Sequence, residues 1–207
     1  MKIAPEGYPF IIGPAAFTLI VYLFWGLAAS LPFLLLTSFM VYFFRDPERV
    51  IPNEPDVLVA PADGKVIVIR ETEEGEFLKA PCVMLSIFMS PLNVHVNRMP
   101  CDCTVLAVKH KNGKFLSAFK PEASIENESI SILLDTQYGK ILIRQIAGLV
   151  ARRAVCRVKE GERLRRGERF GIIKFSSRVD IFIPNTLRPL VKLSQTVKAG
   201  ETIIASV

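Results

Sequence analysis

The sequence predicts a mainly β protein, a barrel-sandwich-like β domain preceded by an N-terminal hydrophobic helical hairpin. Three observations carry this reading. No side chain between Tyr8 and Phe44 is charged. From Pro47 onward, glycine-containing turn pairs recur at short intervals, and the segments between them are short, apolar and rich in β-branched residues. Two late stretches also share one hairpin-like pattern.

The apolar run comes first. It is long for one membrane span and short for two spans plus a turn. Ser30-Leu31-Pro32 offers a break, because proline interrupts helical hydrogen bonding and restricts the residue before it. The expected helices are 10–29 and 32–44. The second would be about 20 Å long against a bilayer core of about 30 Å, so a hairpin that dips into or barely crosses a membrane is favoured. Arg45 and Arg49 follow at once and place the next domain on the cytoplasmic face of the cell membrane by the positive-inside rule. A signal peptide fits poorly: the n-region is weak, the run is too long and no small-residue cleavage site follows. A buried helical hairpin within a globular protein is the alternative. The expected division is a membrane-associated segment, 1–46, and a β-rich catalytic domain, 47–207.

The second part carries the strands. Turn signals at Asp63-Gly64, Glu74-Gly75, Asn112-Gly113, Tyr138-Gly139, Glu160-Gly161, Arg166-Gly167 and Ala199-Gly200 separate runs such as KVIVIR, VMLSIFM, SISILLDT, KILIRQIAG, FGIIKF and VDIFIP. VKEGERLRRGERFGIIKF and VKLSQTVKAGETIIASV are a weak repeat that resembles the hairpin halves of lipoyl- and biotinyl-type domains. Neither has the Met-Lys pair of those domains, so that likeness is architectural.

Charge and cysteine usage narrow the function. The net charge is +6, and residues 1–44 hold only Lys2 and Glu6, so the excess lies on the β domain. A basic domain tethered to a membrane is drawn to an anionic surface. Nucleic acid is disfavoured: the basic residues are dispersed and no nucleic-acid motif occurs. Cys82, Cys101, Cys103 and Cys156 read as buried free thiols, since the Cys101/Cys103 pair has no second pair to complete a structural zinc site. No metal is expected.

Three stretches hold candidate chemistry: PADG (61–64), PLNVHVNRMP (91–100) and KFSSRVD (174–180). Strand alternation would put His95 on a polar face with Asn93 and Asn97, opposite Val94 and Val96. His110 reads as a solvated turn residue. A Ser, a His and an Asp from these stretches could meet as nucleophile, base and orienting carboxylate. Taken singly, each has a structural explanation, and no G-x-S-x-G elbow supports a lipid hydrolase.

FFRDPER, APADGKV, SPLNVHVNRMP, QIAGLVARR with VKEGERLRRGERFGIIKF, and SRVDIFIP, in this order, resemble the phosphatidylserine decarboxylase proenzymes of the short bacterial and archaeal type. The resemblance runs from about Gly7 to the C-terminus. It implies that Ser177 is the precursor of a covalent pyruvoyl group and that the chain cuts itself between Ser176 and Ser177. Asp63 would orient or activate in self-cleavage, and His95 would act as base or acid. Ser177 Oγ would attack the carbonyl of residue 176 to form an ester, and β-elimination would release the upstream chain. The pyruvoyl carbonyl would then form a Schiff base with phosphatidylserine and accept electrons as CO₂ leaves, giving phosphatidylethanolamine.

The resemblance also implies that the large (1–176) and small (177–207) fragments stay associated, and it leaves a homodimer open. The chain departs from the family pattern twice. Arg98 stands where longer members carry a second histidine, and Ser176 stands where glycine usually precedes the scissile bond. Glycine accepts backbone geometry that serine does not, so a processing-defective form stays open. An archaetidylserine or other serine-headgroup decarboxylase and a non-enzymatic membrane-anchored sandwich also stay open. Arg178 and Arg45 are candidate phosphate ligands.

Overall fold

A computed structural model describes residues 2–113, 126–148, 154–174 and 177–207. Ser176, and the 149–153 part of QIAGLVARR, lie outside the described residues. The chain divides into one compact unit ending at Glu48 and a second beginning at Arg49.

In the first unit, helix α1 (Tyr8–Phe43) is interrupted at Gly26, whose φ of 78° and ψ of −177° are non-helical. The halves on either side fold back on each other. Thr18 Oγ1 lies 3.3 Å from Thr37 Oγ1, and the Phe17 and Phe33 rings meet edge to face at 4.8 Å. In a straight helix Thr18 and Thr37 would stand about 28 Å apart. The hairpin is therefore present, but its break is at Gly26 and not at Ser30-Leu31-Pro32. Only glycine readily takes that φ/ψ combination, whereas Pro32 removes a single helical donor and stays inside the helix. The two arms are about 27 and 25 Å long and better matched than the sequence suggests. Thr18, Thr37 and Ser38 each donate a hydroxyl back to the carbonyl four residues earlier, so no arm hydroxyl among them needs solvent. Phe24, Trp25 and Leu27 are exposed around the turn. The ends close through β1 (Lys2–Ile3), which pairs with β2 (Arg45–Asp46).

The second unit is built of strands. In chain order the first are β3 (Val57–Val59), β4 (Gly64–Glu74), β5 (Ala80–Met89), β6 (Val96–Arg98) and β7 (Cys103–Lys111). Then come β8 (Ser129–Thr136), β9 (Gly139–Ala147), β10 (Ala154–Cys156), β11 (Arg163–Leu164) and β12 (Arg169–Ile173). The last are β13 (Ser177–Pro184), β14 (Arg188–Pro189), β15 (Thr196–Val197) and β16 (Ile203–Ser206). Among the described residues, eight strands form one antiparallel sheet in the order β11-β7-β8-β9-β13-β5-β4-β15. The other strands of this unit among the described residues form two three-stranded sheets, β10-β12-β6 and β14-β16-β3. Register shifts between Val66 and Val68 and between Val105 and Ala107 mark bulges, which increase local twist and help the large sheet curl.

The two faces of the large sheet differ. Val179, Ile181 and Ile183 alternate inward from β13 and join Leu85, Ile87, Ile132, Ile143 and Phe170 in one apolar core. Each such side chain contributes roughly 1.5–3 kcal/mol when fully buried. The other face carries Arg178, Asp180 and Phe182, with a smaller cluster of Cys82, Met84, Leu142 and Phe182.

The sequence repeat is a structural one. Glu162 Oε2 accepts from the Lys159 amide and Gln195 Oε1 accepts from the Lys192 amide, closing equivalent turns before β11 and β15. The next turns also match: the Arg165 and Lys198 amides donate to the side chains of Glu168 and Thr202. His110 differs from expectation. It lies on β7, not in a turn, with Nε2 3.2 Å from Glu128 Oε1.

Candidate active site

Ser177 opens β13, the strand held between β5 and β9, and pairs with Met89 on one side and Ala147 on the other. It is fully buried, and its Oγ donates to the Met89 thioether at 3.3 Å. A thioether is a weak acceptor, so this contact orients the hydroxyl without engaging it tightly.

His95 reaches the same region by two routes. From Met89, β5 leads into a turn at 90–93, where Asn93 Oδ1 accepts from the Ser90 amide and hydroxyl, each at 2.8 Å. His95 follows that turn, and its carbonyl accepts from the Ile173 amide at 3.3 Å. Ile173 ends β12, the strand that leads toward Ser177. His95 Nδ1 lies 3.0 Å from the Asn93 carbonyl. A carbonyl can only accept, so Nδ1 carries the proton and Nε2 is the basic nitrogen of the neutral ring. The alternation expected for this segment is modified. Asn93 belongs to the turn, and Val94, His95, Val96 and Asn97 are all buried, so the polar side faces the protein interior.

Asp63 is held elsewhere. Arg49 Nη2 donates to its two carboxylate oxygens at 3.0 and 2.8 Å, and the Ala199 amide donates to Oδ1 at 2.8 Å. Arg49 also lies 3.5 Å from Glu201. Among the described residues the partners of Asp63 are thus Arg49 and Ala199, not His95 or Ser177. The turn that carries Asp63 still borders the site: the Pro61 carbonyl accepts from the Arg98 amide, and Lys65 pairs with Phe88 on β5. Asp63-Gly64 is not the tip of a two-residue hairpin, because Gly64 already pairs with Val197 of β15.

Arg178 is not available for a lipid phosphate. It is 2% exposed, its Nε donates to Asp180 Oδ1 at 2.6 Å and its Nη2 donates to Ser86 Oγ at 2.8 Å. Arg45 lies over the Tyr42 ring in the first unit, 3.7 Å from its centroid. The four cysteines are free thiols. Burial pushes the Cys103 thiol up to about 12 and raises Cys101 as well. Among the described residues no cluster of His, Cys, Asp and Glu could hold a metal ion.

Sequence reasoning passed over Arg49 as a partner for Asp63, and Met89 and Gln145 near Ser177. The available signal for Gln145 was a lone amide within the otherwise apolar KILIRQIAG strand, since a buried polar group in a core strand carries a desolvation cost.

The phosphatidylserine decarboxylase family model matches residues 36–205. The chain is 46% identical to a phosphatidylserine decarboxylase proenzyme of Magnetococcus marinus, over 97% of this chain and 93% of the relative. It is 47% identical to one of Syntrophus aciditrophicus, over 97% and 95%, and 41% identical to one of Ralstonia nicotianae, over 98% and 94%.

Proposed function

The chain belongs to the phosphatidylserine decarboxylase family, and from that premise we propose that it cuts itself between residues 176 and 177 and that Ser177 becomes its pyruvoyl group. It is a carboxy-lyase that converts phosphatidylserine to phosphatidylethanolamine, made as a proenzyme. The observation that carries the Ser177 reading is its place: a buried hydroxyl at the head of a central strand, engaged among the described residues only by a thioether.

The residues present fit such a group. Ser177 is enclosed on both sides by paired strands, away from bulk water. Once formed, a pyruvoyl group supplies a carbonyl to which the serine headgroup's amine can attach and into which the electrons of the breaking C–CO₂ bond can flow. His95 is the proton carrier: with Nδ1 fixed on Asn93, Nε2 is the nitrogen that takes a proton during self-cleavage and returns one during turnover. Asp63 supports the site by holding the 61–64 turn beside β5 and β6, with Arg49 and the Ala199 amide as its anchors.

The small fragment, 177–207, would contain β13 to β16. β13 pairs with both β5 and β9, β15 with β4, and β16 with β3. The two fragments therefore stay joined after cleavage, since separation would tear the large sheet at its centre. The exposed apolar hairpin and the +6 net charge support action at an anionic membrane surface, on the cytoplasmic face.

Intact mass and a denaturing gel of the purified full chain test this reading. Wild type is expected to give a 1–176 fragment and a 177–207 fragment with a blocked N-terminus. Ser177→Ala and His95→Ala are expected to stay whole. Cleavage of the Ser177→Ala chain would remove Ser177 from its role.

A further inference from the structure

Two buried amides share the Ser177 neighbourhood and have no part in the scheme above. Asn97 on β6 and Gln145 on β9 are both fully buried. Gln145 Nε2 donates to Asn97 Oδ1 at 2.8 Å, and Asn97 Nδ2 in turn points at Met89 Sδ at 3.8 Å. That sulfur is the one that receives the Ser177 hydroxyl. One thioether thus takes donors from two directions, the nucleophile's O–H and the Asn97 N–H. The fold makes room for the pair. A Cβ at Gly171 would fall 2.9 Å from Gln145 Nε2 and 2.3 Å from the Val155 carbonyl oxygen, so a side chain there would displace the amide.

An apolar pair of the same shape would fill this space at equal or better stability. The amides therefore call for a chemical explanation. Asn97 is fixed through its oxygen, so its N–H is aimed, and among the described residues that N–H has only a weak acceptor. Little is lost when it moves to a stronger one. A donor that gains its full partner only as charge develops lowers a barrier without stabilising the ground state.

We propose that Asn97, positioned by Gln145, is the hydrogen-bond donor for the elimination step of self-cleavage. This rests on the reading of Ser177 as the self-processing residue. In the first step Ser177 Oγ gives up its proton and bonds to the carbonyl carbon of residue 176, the C–N bond breaks, and that proton passes to the Ser177 nitrogen, which becomes an amine. The product is an ester. In the second step a base removes the Ser177 Cα proton, and that electron pair forms the Cα–Cβ double bond. The Cβ–Oγ bond breaks, and its electrons stay on Oγ, which departs as a carboxylate oxygen of residue 176. Negative charge therefore grows on Oγ. Met89 can only accept hydrogen bonds and offers that charge nothing. Asn97 Nδ2, already directed at the sulfur that Oγ occupies, is the donor that meets it. Asn97 is thus a catalytic residue of maturation, and Gln145 acts through it as a positioning residue.

The test follows maturation of the full chain by denaturing gel and intact mass, with neutral hydroxylamine as the probe. Hydroxylamine cleaves an ester and would release a 177–207 fragment with a free N-terminal serine in place of a blocked one. Asn97→Leu is expected to slow the second step by about 100-fold and to accumulate a full-length, hydroxylamine-cleavable species that wild type lacks. Gln145→Met is expected to shift the same way by a smaller factor. The double variant Asn97→Leu/Gln145→Met leaves no buried amide unpaired and keeps the chain folded, so it reads the donor's loss free of a folding defect. Wild-type maturation in that folded double variant, or a slowed chain that resists hydroxylamine, overturns the role of Asn97 while leaving Ser177 standing. A wild-type chain that never yields the 177–207 fragment, or a Ser177→Ala chain that does, overturns the Ser177 reading and this one with it.

Discussion

Arg49 Nη2 donates to both carboxylate oxygens of Asp63, at 3.0 and 2.8 Å, with only 7% and 12% of the two side chains exposed. Arg49 is the first residue of the β unit, so the segment that enters this unit is tied directly to the turn flanking the site. Burial makes the pair consequential, because removing one partner strands the other charge in a poorly solvated place.

Arg49→Met is therefore expected to destabilise the β unit by about 3 kcal/mol. The measurement is urea unfolding of the full chain in the Ser177→Ala background, which is expected to stay in one piece. An unchanged midpoint would contradict the structural weight given to the pair. In the Ser177 background the same substitution is expected to slow maturation on the order of tenfold, because the 61–64 turn loses an anchor beside β5 and β6.

The helical hairpin makes a geometric prediction. Thr18 and Thr37 have hydroxyls 3.3 Å apart, although a straight helix would separate them by about 28 Å. A Thr18→Cys/Thr37→Cys chain is expected to form an intramolecular crosslink under mild oxidation, detected as a joined peptide pair by mass spectrometry. Gly26→Val should reduce the yield sharply, since valine does not accept φ 78° with ψ −177°. Crosslinking unaffected by Gly26→Val would place the bend elsewhere.

Arg178 and Asp180 make another buried pair, with Nε and Oδ1 at 2.6 Å and side chains 2% and 0% exposed. Arg178→Met takes the guanidinium away from the buried Asp180 carboxylate and is expected to cost about 3–5 kcal/mol. Arg178→Met/Asp180→Leu removes both charges and should recover most of that loss. The same urea measurement checks both. A single variant as stable as the double would contradict the weight given to the Arg178–Asp180 ion pair.

Much of this architecture is legible in the sequence because it rests on local rules. Strand alternation and glycine turns mark β4, β5, β8, β9 and β13, and the late repeat marks two hairpins whose capping hydrogen bonds coincide. His95 and the Ser176-Ser177 pair can be singled out by residue type, and the family resemblance points to Ser177. Their surroundings cannot, because those depend on register between distant strands. Nothing local says that Met89 stands opposite Ser177, that Gln145 reaches Asn97 across sheets, or that Arg49 spends its guanidinium on Asp63. The helix break was misplaced for a different reason. Proline is the stronger breaker by propensity, but a reversal of direction needs a backbone conformation that only Gly26 in this region can take.

The cysteines predict a pH response. Burial raises the Cys101 and Cys103 thiols, the latter to about 12. A thiol whose folded pKa lies above its unfolded value of 9.0 favours the folded state in its neutral form. That contribution is complete below about pH 9, the unfolded value, and is lost as pH rises toward the folded one. Unfolding midpoints of the Ser177→Ala chain are therefore expected to fall between pH 9 and pH 11, and a Cys101→Ala/Cys103→Ala variant should show a shallower fall. Reactivity follows the same cause, since the thiolate is the nucleophile. Iodoacetamide at pH 8 is expected to leave both residues unmodified in the folded protein and to alkylate them in urea, read by intact mass. Fast labelling of either in the folded state would contradict the burial that raises its pKa.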